Sequence, residues 1–249
     1  MIFKTLQVFV LATVSIFCFS QESEKEIGRN IVSLYLGAAK LHENKELQIY
    51  VNSLGVYLAR VADASESYDW QFGVMSDDGI NAFAAPGGYI LITKGLFDLL
   101  ETEDELAFVL SHEINHVIKR HHIQVIENQE RMAGVILEMQ ENLITENTLL
   151  PNMNSLFKDL ALKGLDKNAE YESDLAGLEL SVKAGYSSSA AFDVLFRFLG
   201  AQESITEELF FKTHPAPSER IDVLSQHITV EYEPLEGYSN NSKRILDYK

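Results

Sequence analysis

The run ELAFVLSHEINHVIKRHH, residues 105–122, sets how the rest of the chain is read. An α-helix turns about 100° per residue, so positions four apart share a face. His112 and His116 therefore present two imidazoles in one direction, with Glu113 beside them. Helical context is supplied locally. Thr102 followed by Glu105 fits a capping box, and Glu103, Asp104 and Glu105 suit the positive end of a helix. Leu106, Val109, Leu110 and Val117 surround the motif with apolar residues, which predicts a buried helix. Two histidines at this spacing with the glutamate between them make the HExxH pattern, in which both rings hold one zinc ion and the carboxylate acts on a water at the metal. The competing reading is a pair of core histidines satisfied by hydrogen bonds. His121 and His122 fall off the 112/116 face and read as capping or surface residues at the negative helix end.

Composition is ordinary for a soluble globular protein: 249 residues, 46% hydrophobic and 23% charged, enough for one large domain or two small ones. Residues 1–20 differ from the rest. Lys4 is followed by an apolar run from Leu6 to Phe19, and Cys18 and Ser20 are small residues at −3 and −1. This pattern predicts a secretory signal peptide cleaved after Ser20 and no stable membrane span afterwards. The expected address is the periplasm or envelope, with a lipid anchor or an uncleaved signal anchor as the lesser alternatives. The lone cysteine, Cys18, goes with the signal, leaving a domain over 21–230 without disulfides. The formal charge of −17 shows no basic patch of the kind nucleic acid requires.

In chain order, 21–44 reads as a helix on Ile27, Ile31, Leu34 and Leu41, and 46–63 as a second on Leu47, Val51, Leu54, Leu58 and Val61. Residues 69–75 alternate, with Trp70, Phe72 and Val74 on one face of a strand. Residues 81–93 read as strand, turn, strand, and Pro86, Gly87 and Gly88 favour an edge position. An edge beside a metal helix, carrying Asn81, Phe83, Pro86, Gly87, Gly88 and Tyr89, offers main-chain hydrogen bonds to an extended polypeptide. Its bland counterpart is an ordinary hairpin. Residues 123–150 have helical spacing and suit a cover over a cleft.

The second chemical stretch is Asn168-Ala169-Glu170-Tyr171-Glu172-Ser173-Asp174. A catalytic zinc takes three protein ligands and leaves a fourth position open. A carboxylate here would complete two histidines, but spacing alone does not rank Glu170, Glu172 and Asp174. Gly185 suits a helix C-cap. Pro215 and Pro217 restrict the backbone around His214, and a helix starts near Ser218. From about Val230 to residue 249 a flexible tail is expected.

Taken in order, Asn81–Phe83, Pro86–Gly88, His112–His116, Glu170–Asp174, Ala184–Tyr186, and His214 with Arg220 resemble the HtpX and CAAX-prenyl-protease type of gluzincin zinc metallopeptidase, in its soluble, exported BepA/LoiP-like branch. Asn115 and Ser173 depart from that pattern, which usually has a small residue and alanine there. The resemblance implies an α+β, mainly helical, zincin-like domain. It would hold an HExxH helix, a second ligand helix and a small antiparallel sheet with a substrate-binding edge. It implies one zinc ion on His112, His116 and Glu170, with Glu113 catalytic and Asp174 bonding a ligand histidine. His214 is implied near the metal, as a fourth ligand or a transition-state stabiliser, and Arg220 near the cleft or on acidic side chains. The expected function is a zinc endopeptidase for misfolded or unassembled exported polypeptides. The alternative is a chaperone-like binder of the same fold with its site held shut.

Overall fold

The computed structural model describes residues 24–128, 165–204, 214–227 and 244–249. The expected signal peptide, most of the 123–150 segment and much of the expected tail lie outside them. In chain order the elements are α1 (24–38), α2 (Lys45–Val61), β1 (Gln71–Met75), β2 (Ala82–Ala85), β3 (Tyr89–Thr93), α3 (Lys94–Leu99), α4 (Glu103–Ile118), α5 (121–128), α6 (Lys167–Lys183), α7 (Ala190–Ser204) and α8 (Pro217–His227). A short 3-10 turn, Arg244–Tyr248, follows. None of the described helices is long and apolar enough to cross a membrane.

Local chemistry sets the helix ends. Asn44 caps α2 and Asp166 caps α6, each side chain accepting two backbone N–H groups. Thr102 caps α4 by accepting from Glu105 N. The reciprocal bond of the predicted box is displaced by one residue: the Glu105 carboxylate accepts from Glu101 N at 2.8 Å and is also gripped by Arg197. Gly185 adopts φ 94° where α6 ends, a left-handed position at which a side chain would be strained.

The sheet has the order β1-β3-β2, and it is mixed rather than antiparallel as expected. β2 and β3 form the predicted antiparallel hairpin. β1, however, runs parallel to β3, because residues 76–81 carry the chain past β3 to the far edge before the hairpin begins. β3 is thus the central strand and β2 an edge. Both faces are covered, which explains why β2 and β3 are buried throughout. Phe72, Val74, Ala82, Ile90 and Ile92 meet Leu47, Val51 and Leu54 of α2 and Leu106, Leu110 and Ile114 of α4 in the main core. On the other face Phe83, Ala85, Tyr89 and Leu91 meet α1 and α5. The buried stripe of α1 is Ile27, Ile31, Val32 and Tyr35. The predicted Leu34 is exposed because 27, 31 and 35 make one helical row that excludes it, and Leu41, also exposed, lies beyond the end of α1 in a bridge to Met75.

α4 and α6 pack closely at Gly177. A Cβ there would stand 2.9 Å from the backbone N of His112 and 3.0 Å from its Cα. Gly177→Ala is therefore expected to force the two helices apart, at about 1–3 kcal/mol, and to weaken metal binding with it. Denaturant melts beside a metal titration check this.

The last residues lie against the body. Ile245 is fully buried, Tyr248 stacks on Tyr50 with ring centroids 4.4 Å apart, and Arg244 reaches the buried Glu103 at the start of α4. Deleting residues 244–249 is expected to cost about 2–4 kcal/mol, mostly the apolar burial of Ile245 and the ring stack. Metal affinity should hold, since the site lies two turns further along α4. Thermal melts with and without metal separate the two effects.

Candidate active site

Three segments converge. α4 brings His112, Glu113 and His116, α6 brings Glu170 and Asp174, and the 214–220 segment brings His214 and Arg220. Nε2 of His112 and Nε2 of His116 stand 2.9 Å apart. Glu170 reaches both, with Oε2 3.6 Å from His112 Nε2 and Oε1 3.6 Å from His116 Nε2. Glu170 Oε2 is buried and takes no hydrogen bond among the described residues. His214 Nε2 is 3.6 Å from that same oxygen. One atom from each of His112, Glu170 and His214 fits within a mutual 4.8 Å.

The other side of His112 fixes its role. Its Nδ1 lies 3.0 Å from Asp174 Oδ1, and because a carboxylate only accepts, the ring donates there. Asp174 in turn accepts from Arg220 Nε at 2.8 Å and Nη2 at 2.5 Å. Burial alone would lift the Asp174 carboxyl, but the Arg220 guanidinium outweighs it and holds the acid well below its ordinary range. Arg220 is thus bound to an acidic side chain and also borders the cleft, so both expected placements coincide.

This donor set fits a small divalent cation. Four-coordinate zinc bonds nitrogen and oxygen at about 2.0–2.2 Å, which places neighbouring ligand atoms roughly 3.3 Å apart. The observed separations of 2.9, 3.6 and 3.6 Å bracket that value. Burial lowers His112, but its hydrogen bond to Asp174 and the nearby Glu170 carboxylate outweigh that and push it up to about 9. His116, buried beside it, is held well below its ordinary value, chiefly by that burial.

Glu113 is 3% exposed, and burial pushes its carboxyl up to about 7, against the pull of His112. It borders a narrow cleft together with Ala82, Phe108, His112, His214 and Arg220. Ala82 belongs to β2, an edge strand of the sheet that is itself buried. Thr93 N donates to Asn81 O at 2.9 Å. Bonded pairs alternate along an antiparallel ladder, so Phe83 and Ala85 also face β3 while Ala82 and Ala84 turn their N–H and C=O outward. Of the residues expected along the edge, Asn81 opens β2 and Phe83 lies in it, stacked on Tyr35 of α1 at 3.6 Å. Pro86, Gly87 and Gly88 form the turn beneath α1, where Gly87 adopts φ 86° and Lys25 Cα would sit 2.7 Å from a Cβ. Tyr89 belongs to the central strand, not the edge.

Two histidines read as surface residues lie at the site instead. His121 is 4% exposed, with Nδ1 2.9 Å from His116 Nδ1. The His122 ring centroid is 5.9 Å from that of His116, and burial lowers it to about 4 although Glu170 pulls the other way. The cause is local. α4 ends at Ile118, and Arg120 takes φ 57°, which folds the chain back beneath His116 instead of continuing round the helix. A left-handed arginine carries no sequence signal. The only hint was an unusual density of histidine over 112–122.

Sequence comparison bears on the same residues. The Beta-barrel assembly-enhancing protease of Escherichia coli (strain K12) is 29% identical over 206 residues, covering 80% of this chain and 42% of that protein. Its counterpart from Yersinia pestis is 29% identical over 211 residues, covering 81% and 43%. The Mitochondrial metalloendopeptidase OMA1 of Schizosaccharomyces pombe is 26% identical over 204 residues, covering 82% and 59%. The chain spans less than half the length of the two bacterial relatives. The pattern of Peptidase family M48 matches residues 42–228, every element from α2 to α8 and every side chain gathered at the cleft, and the chain belongs to that family of metal-dependent peptidases.

Proposed function

We propose that the chain is a zinc-dependent endopeptidase acting on unfolded or misassembled exported polypeptides. One observation carries the reading: acceptor atoms of His112, His116 and Glu170 converge from two helices beside a buried carboxylate, Glu113, in an open cleft. These three side chains would hold the zinc. Bound zinc supplies Lewis acidity, making water acidic enough to attack a carbonyl near neutral pH. Glu113 takes the proton of the attacking water and hands it to the leaving amine. Its raised proton affinity suits a group that must both accept and donate near neutrality. Asp174, clamped by Arg220, orients His112. The N–H and C=O groups of Ala82 and Ala84 point away from β3 and, once the cover over these buried residues is displaced, would align an extended substrate as an added strand, a mode that demands little of its sequence. The predicted leader at 1–20 and the relatives named for β-barrel assembly support exported proteins as the substrate class.

His214 favours a second reading. It stands as close to Glu170 Oε2 as His112 does, and so can occupy the position that a catalytic site leaves open. The chain would then be latent, or would bind unfolded polypeptides without cutting them. The test uses the zinc-loaded chain and a permanently unfolded protein, followed by gel, with a chelator arm and a zinc-restored arm. Cleavage lost on chelation and regained with zinc supports the peptidase. Binding without cleavage, in the parent and in His214→Ala alike, defeats it in favour of the binder. Cleavage gained only in His214→Ala identifies the ring as the lock.

A further inference from the structure

His112 has a carboxylate behind it, and His116 has a longer chain of partners serving the same end. His121 Nδ1 lies 2.9 Å from His116 Nδ1, so one of the two must donate and the other accept. The far nitrogen of His121, Nε2, lies 3.2 Å from Glu172 Oε2. Glu172 also pairs with Lys119 at 2.8 Å, and that bond keeps the carboxylate ionised. A carboxylate only accepts, so His121 donates to it through Nε2, and the tautomer with its proton there keeps a lone pair on Nδ1. His116 must then be the donor through Nδ1. Its Nε2 is left as a bare lone pair, facing His112 and Glu170. Ser173 Oγ stands 3.2 Å from His116 Nδ1 and 3.4 Å from His121 Nδ1, at the junction of the two rings, where its oxygen can share the His116 N–H.

The backbone holds this arrangement. Arg120, at φ 57°, makes the reversal that returns His121 under α4, and Glu24 of α1 fixes its guanidinium through contacts of 2.9 and 2.6 Å. Ser173, one of the two departures from the family pattern, supplies a hydroxyl where alanine is usual, at the junction of the two rings.

We propose that His121, backed by Glu172 and Ser173, is a positioning residue that fixes the tautomer and ring angle of His116, so that both histidines of the HExxH motif offer Nε2 to the metal. This rests on reading His112, His116 and Glu170 as the metal ligands. The relay does for His116 what Asp174 does for His112: outer partners of ligand histidines typically govern 10- to 100-fold in metal affinity. It contributes through the ligand and touches no substrate.

The experiment measures zinc affinity of the full chain by chelator competition, together with the visible spectrum of the cobalt(II)-loaded protein. It compares the parent with His121→Phe, His121→Asn and Glu172→Ala. Phenylalanine keeps the buried ring without an acceptor, while the asparagine amide oxygen falls near the position of Nδ1. His121→Phe is expected to lose about 10- to 100-fold in zinc affinity and to shift the cobalt bands. His121→Asn should stay within a few-fold of the parent. Glu172→Ala, at a half-exposed position, should lose several-fold with an unchanged melt of the metal-free protein. The relay is overturned if His121→Phe and Glu172→Ala both bind zinc like the parent, or if asparagine does no better than phenylalanine. Should His121→Phe fail to fold, Glu172→Ala decides alone: parent-like affinity overturns the relay. A parent that binds no zinc defeats the ligand reading itself, an outcome distinct from a parent that binds zinc and variants that bind it equally.

Discussion

Glu113→Gln is expected to hold zinc like the parent and to lose about 10²–10⁴-fold in peptidase rate, the usual contribution of a positioned acid–base group. Glutamine keeps the shape of the side chain but can neither take a proton from water nor return one to the leaving amine. His112, His116 and Glu170 are untouched, so metal content separates loss of chemistry from loss of the site. The metal-free protein gives an independent check. Burial raises the Glu113 pKa from about 4.5 to about 7. An acid whose proton affinity rises on folding stabilises the fold below its unfolded value, and that stability is lost as pH climbs through the folded one. The parent should therefore lose stability between about pH 4.5 and pH 7 by this route. Glutamine, never charged, escapes that loss, so the variant should melt higher than the parent above pH 7 and no higher at pH 4. Residual cleavage at the parent's rate with full zinc content would remove Glu113 from the mechanism.

The part of the site that was legible is the part that is local. His112, Glu113 and His116 follow from a four-residue spacing and a helix whose cap and acidic first turn are written beside it. Glu170 is different. Spacing puts Glu170 and Asp174 on one face of α6, but which carboxylate meets the histidines depends on how α6 lies on α4, and that is set where Gly177 lets it touch the His112 backbone. Only the family resemblance ranked the acids. His121 falls off the 112/116 face only if helical geometry continues past Ile118, whereas the chain reverses at Arg120. The hairpin of β2 and β3 was readable because its partners adjoin in sequence. The parallel pairing of β1 with β3 was not, since alternation names the faces of a strand but never its neighbour. The same limit put Tyr89 on an edge when it belongs to the central strand.

Asp174→Asn should be the most destabilising single change at the cleft, at about 3–5 kcal/mol, because it strands a buried guanidinium. Asp174 is fully buried and takes three charge-assisted bonds, two from Arg220 and one from His112. Asparagine retains one acceptor and turns an N–H₂ group toward donors. Zinc affinity should fall about 10- to 100-fold as His112 loses its orientation. The pH dependence of the metal-free protein has a definite shape. The Asp174 pKa is depressed, so its stabilisation is present above its unfolded value of about 3.8 and fades as the medium is made more acid. The His112 pKa is raised to about 9 by the same contact, so that share is full below about 6.5 and is lost as pH climbs toward 9. The gap between parent and variant should therefore be widest between about pH 4 and pH 6.5, narrowing on both sides. A double variant, Asp174→Asn with Arg220→Met, tests the cause. If the unpaired guanidinium is what costs, removing it must recover part of the loss, and the double variant will be more stable than Asp174→Asn alone. A double variant weaker than either single one would show that Arg220 stabilises the cleft through contacts other than Asp174.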